Sequence, residues 1–116
     1  MPAAPQRILV VEDEPLIAMM LEDFLAALGK TQLGPCDTVQ AALAAIGVEK
    51  PDAVILDINL SGGEKSWPVA DALAAAGIPF ILSSGWEDVN PDYADRPRLT
   101  KPYTMETVEK ALNTLG

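Results

Sequence analysis

Glu12, Asp13, Asp57, Ser84 and Lys101 each stand at or just past the end of a short run that reads as a strand, the first two after residues 7–11 and the others after residues 53–56, 78–82 and 98–100. If those runs are strands of one parallel sheet, their C-terminal ends share an edge, where ligands of open parallel sheets bind. Three carboxylates gathered there repel one another and resist ionisation, so the cluster is stable chiefly around a cation. All-oxygen ligation points to magnesium. Each residue alone is equally well explained as a cap for its own helix or turn. That account must be invoked five times, and a single site is the more economical reading. The sequence contains no histidine, which removes the usual zinc ligand, the usual general base and any internal phosphohistidine. Chemistry here runs on carboxylates, hydroxyls and lysine.

The elements that must hold these residues follow from periodicity and punctuation. Residues 53–56 are apolar and lie between Pro51 and Gly62-Gly63, the pattern of a central parallel strand buried on both faces and ending in Asp57. Residues 7–11 form a β-branched run that stops at an acidic turn. Pro15 then suits the first turn of a helix in which Leu16, Ile17, Met20, Leu21, Phe24 and Leu28 recur before Gly29. Residues 31–36 read as a weak strand interrupted by Gly34-Pro35. Asp37 with Gln40 three positions later resembles a cap for a helix over residues 39–46, closed by Gly47. Ser66 and Pro68 open a third helix that runs to Gly77, and residues 78–82 form the fourth strand, with Pro79 near its start. Pro91, Pro97 and several Asp and Asn residues favour turns over residues 86–97, so any fourth helix there is short or missing. A brief strand at residues 98–100 leads to a last helix capped by Thr104, with Met105, Val108, Leu112 and Leu115 on one face. Strand alternating with helix predicts an α/β fold, a five-stranded parallel sheet with helices on both faces.

The length suits one domain, residues 1–116, with no room for an output domain. The net charge of -9 opposes binding to nucleic acid, and no basic patch offsets it. One cysteine, Cys36, excludes an internal disulfide and fits a reducing compartment, so the cytoplasm is expected. The first residues lack a basic start followed by a long apolar run, no stretch of about 20 apolar residues is present, and no membrane association is expected.

The segments Val10-Val11-Glu12-Asp13-Glu14-Pro15, Ile55-Leu56-Asp57, Leu82-Ser83-Ser84-Gly85 and Lys101-Pro102, in this order and at these strand ends, resemble the receiver domain of bacterial two-component response regulators. The resemblance covers essentially the whole chain. It implies a flavodoxin-like doubly wound sheet of order 2-1-3-4-5, and a phosphoryl group accepted on Asp57 from a sensor histidine kinase or phosphotransfer protein. It further implies magnesium ligated directly by Asp13 and Asp57, by Glu12 mainly through water and by the backbone carbonyl of Asn59, whose side chain stays free. Ser84 then donates its hydroxyl to the phosphoryl group and Lys101 supplies fixed positive charge. Ser83 competes with Ser84 for the first role, but the family places its hydroxyl immediately before a small residue, as Ser84 stands before Gly85. Lys101-Pro102 usually carries a cis peptide in this family.

Two features depart from the family pattern. Arg98 occupies the position of the switch aromatic, three residues before the lysine, and only 17 positions separate Ser84 from Lys101. Both resemble a subgroup of single-domain receivers whose fourth strand reads Pro-Phe-x-Phe-Ala-Thr-Gly, loosely matched by residues 79–85. A guanidinium does not take a buried apolar slot without a partner, so Arg98 is expected to stay outward or to pair with Asp88, Asp92 or Asp95. Trp86 is expected near the phosphoryl group, and residues 86–97 as the element that orders on phosphorylation. The domain then acts by binding another protein or as a phosphate sink. An alternative is a haloacid-dehalogenase-like phosphatase with Asp57 as nucleophile, although Asn59 stands where that family needs a second aspartate. A flavin-binding domain is disfavoured, because Glu12-Asp13-Glu14 would repel the flavin's phosphate.

Overall fold

The computed structural model describes residues 5–60, 63–84, 93, 96–100 and 103–115, with the backbone alone at Ser84 and Thr100. Strands β1 (Arg7–Val11), β2 (Thr31–Cys36), β3 (Ala53–Asp57), β4 (Phe80–Ser84) and β5 (Arg98–Thr100) form one sheet in the order β2-β1-β3-β4-β5. Every pairing is parallel. Helices α1 (Pro15–Ala27), α2 (Val39–Glu49), α3 (Trp67–Ala76) and α4 (Met105–Asn113) cover the sheet. This is the doubly wound, flavodoxin-like arrangement expected from the sequence. The fourth helix anticipated as stunted falls between β4 and β5, mostly outside the described residues.

Alternation along the strands divides the core in two. Leu9, Val11, Val54, Leu56, Phe80 and Leu82 pack with Ala42, Ile46, Val69, Ala70 and Leu73 of α2 and α3. Ile8, Val10, Ile55, Ile81 and Leu99 point the other way, against Leu21 and Leu25 of α1 and Val108, Ala111 and Leu112 of α4. A strand buried on both faces needs apolar residues without a break, which is why residues 53–56 read as a continuous run. Truncating a residue such as Leu56 to alanine costs about 2–5 kcal/mol.

Several boundaries differ from the sequence reading. The cap of α2 is Thr38, whose Oγ1 accepts the Ala41 N–H at 3.1 Å, and Asp37 precedes it. Gly47 lies inside α2, which continues to Lys50 in the left-handed region at φ 48°. The residue before a proline is disfavoured in the right-handed helical region, so Pro51 ends this helix. β4 begins at Phe80, so Pro79 lies outside it and contributes its carbonyl, which accepts the Val54 N–H at 3.1 Å.

β2 is continuous, with an irregularity where the sequence suggested an interruption. Leu9 pairs with Leu33 and Val11 with Cys36, so β2 carries one residue more than β1 between these pairs. Gly34 takes φ 83°, and a Cβ there would lie 2.9 Å from the Val10 carbonyl oxygen and 3.0 Å from the Cys36 nitrogen. Only glycine fits so close an approach with that backbone. The Gly34-Pro35 peptide is cis.

Candidate functional site

The order β2-β1-β3 reverses the direction of winding at β1, which opens a crevice at the C-terminal ends of β1 and β3. Beyond the last residue of β1, the Glu12 N–H donates to the Cys36 carbonyl at 2.8 Å and so extends the β1–β2 pairing past the bulge. The chain then turns sharply, and the Glu12 carboxylate accepts the Glu14 N–H at 3.1 Å. Pro15, with its preset φ, starts α1 directly after the turn. Glu12 is thereby held inward at 3% exposure, and Asp13 is half-buried. Asp57, the last residue of β3, is 2% exposed.

One carboxylate oxygen from each of Glu12, Asp13 and Asp57 lies within 4.8 Å of the others. Two unit charges that far apart repel by about 3 kcal/mol at an effective dielectric of about 20. A divalent cation that binds oxygen offsets this repulsion, and the donor set is all carboxylate, as such a cation requires. The residues therefore fit a hard metal ion. At the rim, burial pushes the Cys36 thiol upward in pKa and the neighbouring Asp37 adds to the shift, so this cysteine is a neutral packing group at ordinary pH.

Asn59 lies two residues beyond Asp57 and is half-buried. Its side chain is not free, as the sequence suggested: Lys65 Nζ donates to Asn59 Oδ1, and the two residues form an antiparallel bridge that closes the loop after β3. The resemblance gave Asn59 a backbone role and a free side chain, and the reach of a lysine six residues away is not visible in a motif. Ser84 ends β4 and pairs with Thr100, whereas Ser83 pairs with Asp57 itself. Lys101, Pro102 and Trp86, expected in or beside the site, lie outside the described residues, as do Asp88, Asp92 and Asp95. Arg98 opens β5 and is exposed.

Two contributors were missed in the sequence. Tyr93 is buried, stacks on Trp67 with ring centroids 6.0 Å apart and meets Phe80 edge-on at 5.6 Å. Its hydroxyl donates to Asp71 on α3. The Arg96 guanidinium sits 4.5 Å above the Phe80 ring. Within the segment expected to be mobile, residues 93 and 96 are thus anchored to α3 and β4. An aromatic flanked by proline and aspartate was the available signal. The second is Glu64, which accepts the Val39 N–H at 2.8 Å and ties the β3–α3 loop to α2.

Residues 8–90 match the response regulator receiver domain. The solution structure of SdrG from Sphingomonas melonis Fr1 superposes with a TM-score of 0.89 at 56% identity, covering 98% of each chain. The transcriptional regulatory protein PdtaR of Mycobacterium tuberculosis is 38% identical over 117 residues, 95% of this chain and 56% of that protein. The phyllosphere-induced regulator PhyR of Methylorubrum extorquens is 34% identical over 83 residues, 70% of this chain and 31% of that protein. The chain therefore spans at most about half the length of these two curated relatives. None of these similarities supports the phosphatase alternative. Among the described residues no helix is long and apolar enough to cross a membrane. An acid cluster at the β1–β3 crevice of a 2-1-3-4-5 sheet and a family match across most of the chain agree: this protein belongs to the response regulator receiver domain family, the phosphoacceptor signalling module of two-component systems.

Proposed function

We propose that Asp57 accepts a phosphoryl group from a phosphohistidine on a sensor histidine kinase or phosphotransfer protein, in a magnesium-dependent reaction in the cytoplasm. In this reading the phosphorylated domain then binds another protein or serves as a phosphate sink. The observation that carries it is the convergence of Glu12, Asp13 and Asp57 within 4.8 Å, with Asp57 fixed at the end of the central strand. The sequence contains no histidine, so none of its residues can be the phosphohistidine donor.

An Asp57 carboxylate oxygen bonds to phosphorus while the bond from phosphorus to the donor imidazole nitrogen breaks, and the electron pair leaves with that nitrogen. Glu12, Asp13 and Asp57 are the residues to hold magnesium, together with the Asn59 carbonyl. The bound ion offsets the repulsion between the carboxylate nucleophile and the incoming anion. Ser84 and Lys101 are assigned the phosphoryl oxygens, as hydroxyl donor and fixed charge.

The donor has a surface to meet. Leu16 and Met19, on the first turns of α1 directly after the acidic turn, are 79% and 60% exposed. Met105, on the first turn of α4 against the same face of the sheet, is exposed as well. Exposed apolar side chains flanking a charged crevice suit an apolar partner surface that presents its histidine between them.

Intact mass after incubation with phosphoramidate and magnesium tests the reading. One base-labile phosphoryl group is expected on the wild type and none on Asp57→Asn. An undiminished mass shift in Asp57→Asn would sink it, and turnover of a phosphate ester that depends on Asp57 would restore the phosphatase alternative.

A further inference from the structure

Asp57 and Ser83 are register partners on adjacent parallel strands. Side chains alternate along each strand, and two residues earlier the paired Ile55 and Ile81 both face α1 and α4. Asp57 and Ser83 therefore project to that same face, side by side across a strand spacing of about 4.8 Å. Ser83 is 1% exposed, and its Oγ has no hydrogen-bond partner among the described residues. The side chains next to it on this face, Ile81 on its own strand and Leu99 opposite on β5, offer no acceptor. Buried hydroxyls are nearly always bonded, and an orphan beside a reactive group calls for an explanation.

We propose that the Ser83 hydroxyl donates a hydrogen bond to the Asp57 side chain once that side chain carries a phosphoryl group, a bond the free carboxylate does not take. The proposal rests on Asp57 being the phosphoacceptor. Phosphorylation brings new acceptor oxygens onto a side chain that stands directly opposite an unused donor. Ser83 is level with Asp57 in the register, whereas Ser84 lies one residue further on. Because Ser83 Oγ has no hydrogen-bond partner among the described residues, this bond is expected to stabilise the phosphorylated state alone. Ser83 is in this sense a positioning residue for the phosphorylated side chain.

Beryllofluoride gives a direct readout: beryllium bonds to the carboxylate oxygen and three fluorines stand in for the phosphoryl oxygens. Its affinity in saturating magnesium is to be measured by fluorine NMR for the wild type, Asp57→Asn, Ser83→Ala, Ser83→Val and Ser83→Thr. Loss of the hydroxyl in Ser83→Ala and Ser83→Val should weaken binding about fivefold, the worth of one neutral hydrogen bond. Ser83→Thr should stay near the wild type. Valine and threonine have nearly the same shape, so a packing role alone predicts that those two variants behave alike. Wild-type affinity in Ser83→Ala and Ser83→Val, or equal losses in Ser83→Val and Ser83→Thr, overturns the proposal while leaving the phosphoacceptor reading intact. A wild type that binds no beryllofluoride, or binds it equally with Asp57→Asn, overturns both.

Discussion

Glu64, on the loop that leaves the phosphoacceptor strand, accepts the backbone N–H of Val39, the first residue of α2, at 2.8 Å. Thr38 Oγ1 accepts the Ala41 N–H at the same helix end. Two of the N–H groups that a helix start leaves without intrahelical partners are thus satisfied by side chains, one of them from a distant loop. Glu64→Ala should lower stability by about 1 kcal/mol, and Glu64→Gln by less, since an amide oxygen still accepts but lacks the charge favoured at a helix N-terminus. Urea denaturation of the two variants checks this, and added salt should narrow the gap between Glu64→Gln and the wild type.

The acid cluster should be a liability when no cation is bound. Removing one charge from three carboxylates within 4.8 Å relieves repulsion, so Asp13→Asn is expected to stabilise the magnesium-free protein by about 1–2 kcal/mol. Magnesium should then raise the stability of the wild type more than that of the variant, because ligand stabilisation follows affinity. Thermal melts with EDTA and with magnesium read both effects. A variant less stable than the wild type in EDTA would show that Asp13 contributes more through local bonding than it costs through repulsion.

Tyr93 separates two contributions. Tyr93→Phe keeps the stack on Trp67 and removes the bond to Asp71, for an expected loss of about 1 kcal/mol. Tyr93→Ala also empties a buried aromatic position and should cost about 3–5 kcal/mol. Trp67 emission, followed in a Trp86→Phe background, should change in Tyr93→Ala and stay close to the wild type in Tyr93→Phe.

Acid stability should depend on a residue far from the site. The Asp52 carboxylate accepts the Arg7 N–H at 2.9 Å and the Gln6 N–H at 3.2 Å. These bonds, the Arg7 one foremost, hold its pKa below the usual value of 3.8. A carboxyl group depressed on folding binds fewer protons in the folded than in the unfolded state, so its contribution is present above the unfolded value and is lost as pH falls through the folded one. Asp52→Asn should therefore flatten the acid limb of a stability–pH profile below about pH 4 and leave its shape near neutrality unchanged. Asp52 is exposed, so the effect should be small.

The fold was legible because its strongest signals are periodic. Residues 53–56 form an unbroken apolar run, and the i, i+4 recurrence from Leu16 onward marks α1. Boundaries were less legible where two residues share a chemistry. Asp37 and Thr38 are both good caps, and the choice is decided by β2, which extends to Cys36 through the bond from Glu12. Gly47 looks like a stop but sits inside α2, because the next residue that favours termination is Lys50 before Pro51. The three acids of the site were legible from their places at strand ends. The bonds from Tyr93 to Asp71 and from the Val39 N–H to Glu64 join residues on loops to other elements, the bond from Lys65 to Asn59 closes a loop on itself, and no local pattern encodes such pairings.

Gly34 has no side-chain oxygen or charge to offer the candidate cation site, yet its close fit between β1 and β2 bears on where Glu12 stands. A methyl group there presses on the Val10 carbonyl oxygen and on the Cys36 nitrogen in a backbone that other residues rarely adopt, and the relief must come from sliding β2 along β1 or apart from it. Glu12 hangs from the Cys36 carbonyl immediately beyond, so the displacement arrives at the carboxylate. The outer margin of the sheet thus works as a height adjustment for a ligand one strand inward, and in Gly34→Ala a loss of fold stability and a weaker grip on the ion should appear together as one lesion.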